Sequence, residues 1–273
     1  MPDSLKVPPT FRLLPPIAGL GWLRSASFLL AGARLTWLVF FVCYIFILGL
    51  LSIIPVIGTA LATILKPVFA VGFLAGAWTQ TRGQKPAISD LFRGFQSNLR
   101  ALLPLGLVYW AGINLALLST AIIDGGTFVS AIFLGEPLPE DFLSRPETQW
   151  VMMLAALGAL PAALATWFAP ALVVFDEMPW YRAIGLSLGA TVANWRAFLV
   201  LGATLFLFSA MLPAFALQVL VLIFGAAGLG FALVVLMPWW MALMTTLSIS
   251  DYVSYLDTFH PEAPLPAPEP PTA

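Results

Sequence analysis

The chain alternates between long stretches without charged side chains and shorter stretches in which apolar and charged residues recur at helical spacing. Uncharged apolar runs of about 20 residues have the length that crosses the hydrocarbon core of a bilayer as a helix. We therefore predict six transmembrane helices, with spans at about 35–54, 56–79, 101–123, 150–175, 197–224 and 229–249. The last two spans share one uncharged run, in which Gly225, Gly228 and Gly230 indicate the hairpin.

Each pair of predicted spans follows a segment whose apolar residues fall on one helical face. The first segment, residues 20–34, has the weakest pattern. The apolar face of the second is Ile88, Leu91, Phe92, Phe95 and Leu99, and that of the third is Tyr181, Ile184, Leu188, Val192 and Trp195. Amphipathic helices of this kind lie in the membrane interface, so we predict three interfacial helices.

A short sequence is repeated where the second and third segments give way to a span. Residues 98–103 return in altered form at 194–199, and both copies contain Asn-x-Arg-Ala. A third, eroded copy ends at Arg34. We predict an all-α integral membrane fold in which six transmembrane helices form three units, each an interfacial helix plus two spans. Residues 17–259 then form a single membrane domain between an irregular segment, 1–16, and a proline-rich disordered tail, 260–273.

The distribution of basic residues predicts the orientation of the spans. Loops that remain in the cytoplasm are enriched in lysine and arginine. One side of the predicted membrane domain collects Lys6, Arg12, Arg24, Arg34, Arg82, Lys85, Arg93, Arg100, Arg182 and Arg196. The long loop on the other side, 124–149, holds one arginine among five carboxylates. We expect a bacterial inner-membrane protein with both termini in the cytoplasm.

Composition narrows the classes of function. The chain is 60% hydrophobic and 9% charged, whereas a soluble domain has about 25% charged residues. Its net charge of −1 and lack of a clustered basic face argue against a nucleic-acid partner. Cys43 and His260 are the single residues of their types and have no ligand neighbours at metal-binding spacing, so we predict no metal or cofactor. No catalytic motif occurs, which favours a non-enzymatic protein.

Two polar residues in the predicted spans form a candidate membrane site. Lys66 lies near the middle of the second span, where an ionised side chain is costly and is usually functional. Asn114 lies at a matching depth in the third span. We predict that they pair inside the helix bundle. The alternative is a structural lysine that reaches the interface or caps the carbonyls freed by Pro67.

Five residues at the starts of spans form a candidate site for lipid headgroups. Guanidinium groups at headgroup depth can bind phosphate, and asparagine can assist them by hydrogen bonding. The candidates are Arg34, Asn98, Arg100, Asn194 and Arg196. The alternative is that these residues only anchor the helix starts and set the orientation.

A set of short sequences carries a resemblance to a known family. In order they are residues 92–95, 124–126, 167–173, 194–200 and 252–259. Together they resemble a family of uncharacterised six-helix inner-membrane proteins from proteobacteria, over about residues 11–259. The chain is also distantly similar to membrane domains found beside glycerophosphodiester phosphodiesterases, which implies a connection with lipids. The resemblance supplies no catalytic residues.

Two functions are favoured at this stage, and an intramembrane enzyme stays open as a third. The first is binding or transport of a lipid or small solute, which the repeats and the polar membrane residues favour. The alternative is a non-catalytic accessory or scaffold protein of a membrane complex. The expected partners are the lipid bilayer, a lipid or small-molecule ligand and, in the alternative, another membrane protein.

Overall fold

The computed structural model describes residues 10–54, 57–225 and 227–263, and this part of the chain is helical, without β-strands. The predicted irregular segment lies outside the described residues up to position 9, and the predicted tail does so from position 264. The α-helices are α1 Ala18–Gly32, α2 Arg34–Ser52, α3 Ile57–Ile64, α4 Lys66–Thr81, α5 Arg93–Gln96, α6 Leu99–Ser119, α7 Ala121–Asp124, α8 Thr127–Leu134, α9 Thr148–Trp167, α10 Ala169–Val174, α11 Trp180–Ala193, α12 Trp195–Phe206, α13 Leu212–Phe224 and α14 Ala227–Phe259. Short 3₁₀ turns occupy Ile88–Phe92 and Phe142–Ser144, and a π-helical turn, Leu207–Met211, joins α12 to α13.

Within the described ranges, six helical stretches are long and apolar enough to cross a membrane. They are Arg34–Ser52, Ile57–Thr81, Leu99–Asp124, Thr148–Val174, Trp195–Phe224 and Ala227–Phe259. This confirms the all-α fold with six membrane-spanning helices. The helix that contains the predicted span 229–249 extends to Phe259. Ser250, Ser254 and Asp257 in its last turns are buried.

Two helices are interrupted close to a proline. The residue between α3 and α4 is Leu65, two positions before Pro67, and the residue between α9 and α10 is Phe168, two positions before Pro170. At the second interruption the Ser187 hydroxyl stands between two backbone groups. It donates to the Leu164 carbonyl at 2.9 Å and accepts from the Phe168 N–H at 3.0 Å. A hydroxyl inserted between residues i and i+4 opens the helix while keeping both groups hydrogen-bonded.

The chain divides into two compact units. The first unit contains residues up to Ile45, Ala70–Arg93 and the chain from Ala190 onward. In it α1 packs against α12 and α14. The approach is close because a Cβ atom added to Gly19 would lie 2.1 Å from the carbonyl oxygen of Ala197.

The end of α4 ties α1 to α2 within the first unit. The Gln80 side chain accepts from Trp37 Nε1 at 2.7 Å and donates to the Leu29 carbonyl at 2.8 Å. Trp37 is fully buried and lies 5.3 Å from the Phe40 ring and 6.3 Å from the Phe73 ring, measured between ring centroids. The oxygen and the nitrogen of the Gln80 side-chain amide are thus both hydrogen-bonded beside an aromatic core.

The second unit contains Phe46–Phe69 and Gly94–Gly189. In it α6 packs against α3 and α9. A Cβ atom added to Gly106 would lie 1.9 Å from the Ile64 carbonyl oxygen, and one added to Gly112 would lie 2.4 Å from the Ala162 Cβ. Small residues at such contacts let membrane helices approach closely and gain van der Waals attraction.

The substitution Gly19→Ala tests the close packing of α1. The added methyl group overlaps the Ala197 carbonyl, so we expect a loss of stability of about 1 to 3 kcal/mol, the usual cost of overpacking. The matched control is Gly21→Ala in the same helix, because a Cβ atom added there meets no atom within 4 Å. Thermal unfolding in detergent measures both effects. Equal melting temperatures for the two variants would contradict the packing described here.

Candidate functional site

The segment that precedes α1 is fastened to the far end of α14 through Arg12. The Arg12 guanidinium forms an ion pair with the Asp257 carboxylate, and its Nε donates to the Asp257 carbonyl at 2.6 Å. The Arg12 backbone N–H donates to the Thr258 carbonyl at 3.0 Å. Three contacts at one arginine therefore hold the segment in place.

Asp257 is the buried centre of this arrangement. One carboxylate oxygen accepts from Arg12, and the other accepts from Trp22 Nε1 at 2.8 Å. Trp22 is fully buried, and its ring packs edge-on to Phe198 at a centroid distance of 5.3 Å. A buried carboxylate is costly unless it is paired and hydrogen-bonded, and here both of its oxygens are engaged.

Asn194 holds the same segment from the junction between α11 and α12. Its side chain is buried, and its Oδ1 accepts from the Leu14 N–H at 2.8 Å. Its Nδ2 donates to the carbonyls of Arg12 and Ala190, each at 3.0 Å. The corresponding residue of the other copy, Asn98, is exposed. The two copies of the repeated sequence therefore have different surroundings.

A cavity of about 420 Å³ lies between this segment and the first turns of α1. Its volume falls in the range of about 300 to 1,000 Å³ that is usual for ligand sites. The lining includes the two cationic residues Arg12 and Arg24, the Asp257 carboxylate and the open side of Gly21. Leu13, Ile17 and Leu20 also line it, and these apolar residues are exposed. The cavity thus combines an excess of positive charge with an apolar edge.

The structure gives Lys66 and Asn114 separate neighbours in the second unit. Lys66 is exposed at the start of α4, and its ammonium stands 5.3 Å from the centroid of the Tyr109 ring in α6. Asn114 is half-buried, and its Nδ2 donates to the Trp110 carbonyl at 2.7 Å. The pairing of Lys66 with Asn114 stays a prediction.

The three arginines of the headgroup hypothesis lie at helix starts. Arg34 is the first residue of α2, and Arg100 and Arg196 are each the second residue of their helices, α6 and α12. All three are exposed, and the Arg196 guanidinium stands 5.4 Å from the centroid of the Trp195 ring. Contact between these arginines and lipid headgroups stays a prediction.

Charged groups in the loop before α9 form a surface ion pair. Arg145 donates to the Asp141 carboxylate at 3.0 Å through Nε and at 2.9 Å through Nη2. The hydrogen bond from Arg145 is the main cause that lowers the pKa of Asp141. The Asp141 side chain is exposed, and that of Arg145 is half-buried. Among the residues that the structure describes, no cluster of three or more His, Cys, Asp or Glu side chains could hold a metal ion.

Sequence reasoning did not find the cavity. From the sequence, Arg12 and Arg24 are predicted only to help set the orientation of the spans, and no role is predicted for Trp22 and Asp257. Arg12 and Asp257 are 245 positions apart, so no local spacing connects them. One signal was present, because two carboxylates, Asp251 and Asp257, follow the last predicted span in a stretch that keeps large apolar and aromatic residues.

The helical fold with six candidate spans defines a multi-pass membrane protein. Over 252 residues the chain is 32% identical to a probable inner membrane protein of Burkholderia thailandensis, in a match that covers 90% of this chain and 92% of that protein. The chain belongs to the family of that inner-membrane protein, as the resemblance in the sequence indicated. No family model matches the chain. No solved structure matches it either.

The substitution Asp257→Asn tests the attachment of the segment before α1. Loss of the charge weakens the bonds from Arg12 and Trp22, and a hydrogen bond to a charged group contributes about 1.5 to 3 kcal/mol. We expect trypsin cleavage after Arg12 to accelerate about tenfold, because each 1.4 kcal/mol is about a factor of ten. Asp141→Asn is the control, since it breaks an exposed pair elsewhere. An unchanged cleavage rate in Asp257→Asn would contradict this role.

Proposed function

We propose that the protein binds a lipid or small solute at the cavity beside α1, without catalysing a reaction on it. The observation that carries this proposal is the cavity of about 420 Å³, in which Arg12 and Arg24 stand beside exposed apolar residues. Ligand sites combine a concave, mainly apolar lining with a few polar groups that fix orientation. An amphiphilic molecule meets both parts of this lining.

In the proposed three-unit arrangement, the cavity lies at the depth of the lipid headgroups. Each pair of spans follows a helical segment, namely α1, residues 88–96 and α11. Exposed apolar side chains on the last two include Phe95 and Val192, which supports an interfacial position. We propose that all three segments lie at the cytoplasmic interface. The cavity beside α1 is then at the level of the lipid headgroups.

Cysteine labelling tests this orientation. The chain has one cysteine, Cys43, so a Cys43→Ala background allows single-site labelling. Glu140→Cys and Arg182→Cys change exposed residues that belong to opposite sides in the proposed topology. In spheroplasts of the expressing bacterium, we expect an impermeant maleimide to label Glu140→Cys at once and Arg182→Cys only after permeabilisation. The reverse pattern would contradict cytoplasmic termini.

A cavity-filling substitution tests the binding function. Gly21 lines the cavity, and a Cβ atom added to it meets no atom within 4 Å, so Gly21→Trp fills space without a backbone clash. We expect wild-type protein purified in mild detergent to retain a lipid or small molecule, and Gly21→Trp to lose at least 80% of it, that is about 1 kcal/mol of binding free energy. Native mass spectrometry measures the retained mass. The matched control is Gly202→Trp, at an exposed glycine of α12 with the same open space.

The outcomes separate this proposal from the accessory function. Retention of the ligand in Gly21→Trp would contradict binding at this cavity. An empty wild-type protein that purifies with another membrane protein would favour the accessory function. One observation supports that second candidate, because none of the most apolar part of the span Trp195–Phe224 is buried, while half of the corresponding part of Ile57–Thr81 is.

A further inference from the structure

We propose that the ligand of this cavity is an anionic phospholipid whose headgroup phosphate is bound by Arg24, with Arg12 beside it. This inference rests on the proposed binding function and specifies its ligand. It goes beyond the five residues that the sequence indicated for headgroup contact, because neither Arg12 nor Arg24 is among them.

The lining of the cavity has more positive than negative charge. Among the described residues that line the cavity, two guanidinium groups face one carboxylate, so this lining has one more positive charge than negative. Arg12 is the cation that Asp257 neutralises, since the two form an ion pair. Arg24 therefore supplies the charge available to a ligand, and an anion is the ligand that this charge favours.

Arg24 is placed so that its guanidinium group can bind a phosphate. Its side chain is exposed, and its guanidinium carbon stands 5.8 Å from the centroid of the Phe28 ring. A guanidinium group over an aromatic face keeps its N–H donors directed outward in its own plane. Those donors match the oxygens of a phosphate group, which guanidinium binds in a bidentate manner.

The anion-binding groups of this cavity are the arginine side chains and not the backbone N–H groups at the start of α1. The N–H of Ala18 donates to the Pro15 carbonyl, and those of Leu20 and Gly21 donate to the Ile17 carbonyl. Because these N–H groups are already hydrogen-bonded, the first turn of α1 offers few donors to a ligand. Binding of an anion here depends on side-chain charge.

The exposed apolar part of the lining favours a lipid over a free phosphate compound. Three apolar side chains of the lining are exposed, with Leu13 at 74%, Ile17 at 63% and Leu20 at 43% of their maximum. Inorganic phosphate would leave this apolar surface in contact with water. A phospholipid would cover it with acyl chain while its phosphate reaches Arg24, so both parts of the lining would be used.

The experiment compares the lipid affinities of purified variants by native mass spectrometry. The probes are phosphatidylglycerol, phosphatidylcholine and inorganic phosphate. We expect wild-type protein to bind phosphatidylglycerol at least fivefold more tightly than phosphatidylcholine, and Arg24→Gln to lower the affinity for phosphatidylglycerol about tenfold. We expect millimolar inorganic phosphate not to displace the bound lipid. Arg24 is exposed, so its replacement leaves the fold intact.

The control is Arg82→Gln in the same unit. Arg82 is also exposed, and its guanidinium stands 4.1 Å from the centroid of the Trp78 ring, but it does not line the cavity. We expect this variant to bind phosphatidylglycerol as the wild type does. An equal loss in Arg24→Gln and Arg82→Gln would show a general effect of surface charge and would overturn the assignment of Arg24.

Further outcomes distinguish failure of this inference from failure of the binding function. Equal affinity for both lipids, unchanged in Arg24→Gln but lost in Gly21→Trp, would overturn the anionic headgroup while leaving lipid binding intact. Displacement of phosphatidylglycerol by inorganic phosphate would show that the site selects free phosphate and would overturn the lipid. Absence of any binding that Gly21→Trp removes would overturn both proposals.

Discussion

The hydrocarbon core of a bilayer contains no water, so every backbone N–H and carbonyl within it needs a partner from the protein, and the rest of the structure follows from this constraint. Helices satisfy it locally, and hydroxyl side chains bond back to their own helix, as Thr63 does to the Thr59 carbonyl and Thr245 to the Met241 carbonyl. The interruption at Phe168 obeys the same constraint, because Ser187 supplies the missing partners from a neighbouring helix. At this interruption a side chain therefore takes the place of a backbone hydrogen bond.

The hydrocarbon surroundings also change how helices associate. Apolar side chains gain little by leaving lipid for protein, so packing depends on close contact between helix surfaces. Gly19 and Gly106 each bring one helix against a backbone carbonyl of another, within the first and the second unit respectively. Trp22 both packs and forms a hydrogen bond, because its ring lies edge-on to Phe198 while its Nε1 donates to Asp257.

The sequence was sufficient to predict the six helices because charged residues are rare in the spans, with Lys66 as an exception, and the glycines near residue 225 lie where α13 gives way to α14. The predicted span 229–249 covers only part of α14, because buried polar residues follow it in the same helix. The cavity could not be predicted, since its cationic and acidic sides come from opposite ends of the chain. Asn98 and Asn194 show a further limit, because one repeated motif gives an exposed and a buried side chain depending on whether another segment passes over it.

The partnership between Arg12 and Asp257 also has a consequence for the order of biosynthesis. During synthesis Arg12 precedes Asp257 by 245 positions, so its ion-pair partner is added only after the last hairpin. Until then the arginine lacks the Asp257 carboxylate, the Trp22 indole N–H lacks its acceptor in α14, and the cavity lacks its acidic lining residue. The ion pair therefore forms only in a chain that reaches the end of α14, whereas the hydrogen bonds from Asn194 to the same segment involve a residue made before that helix.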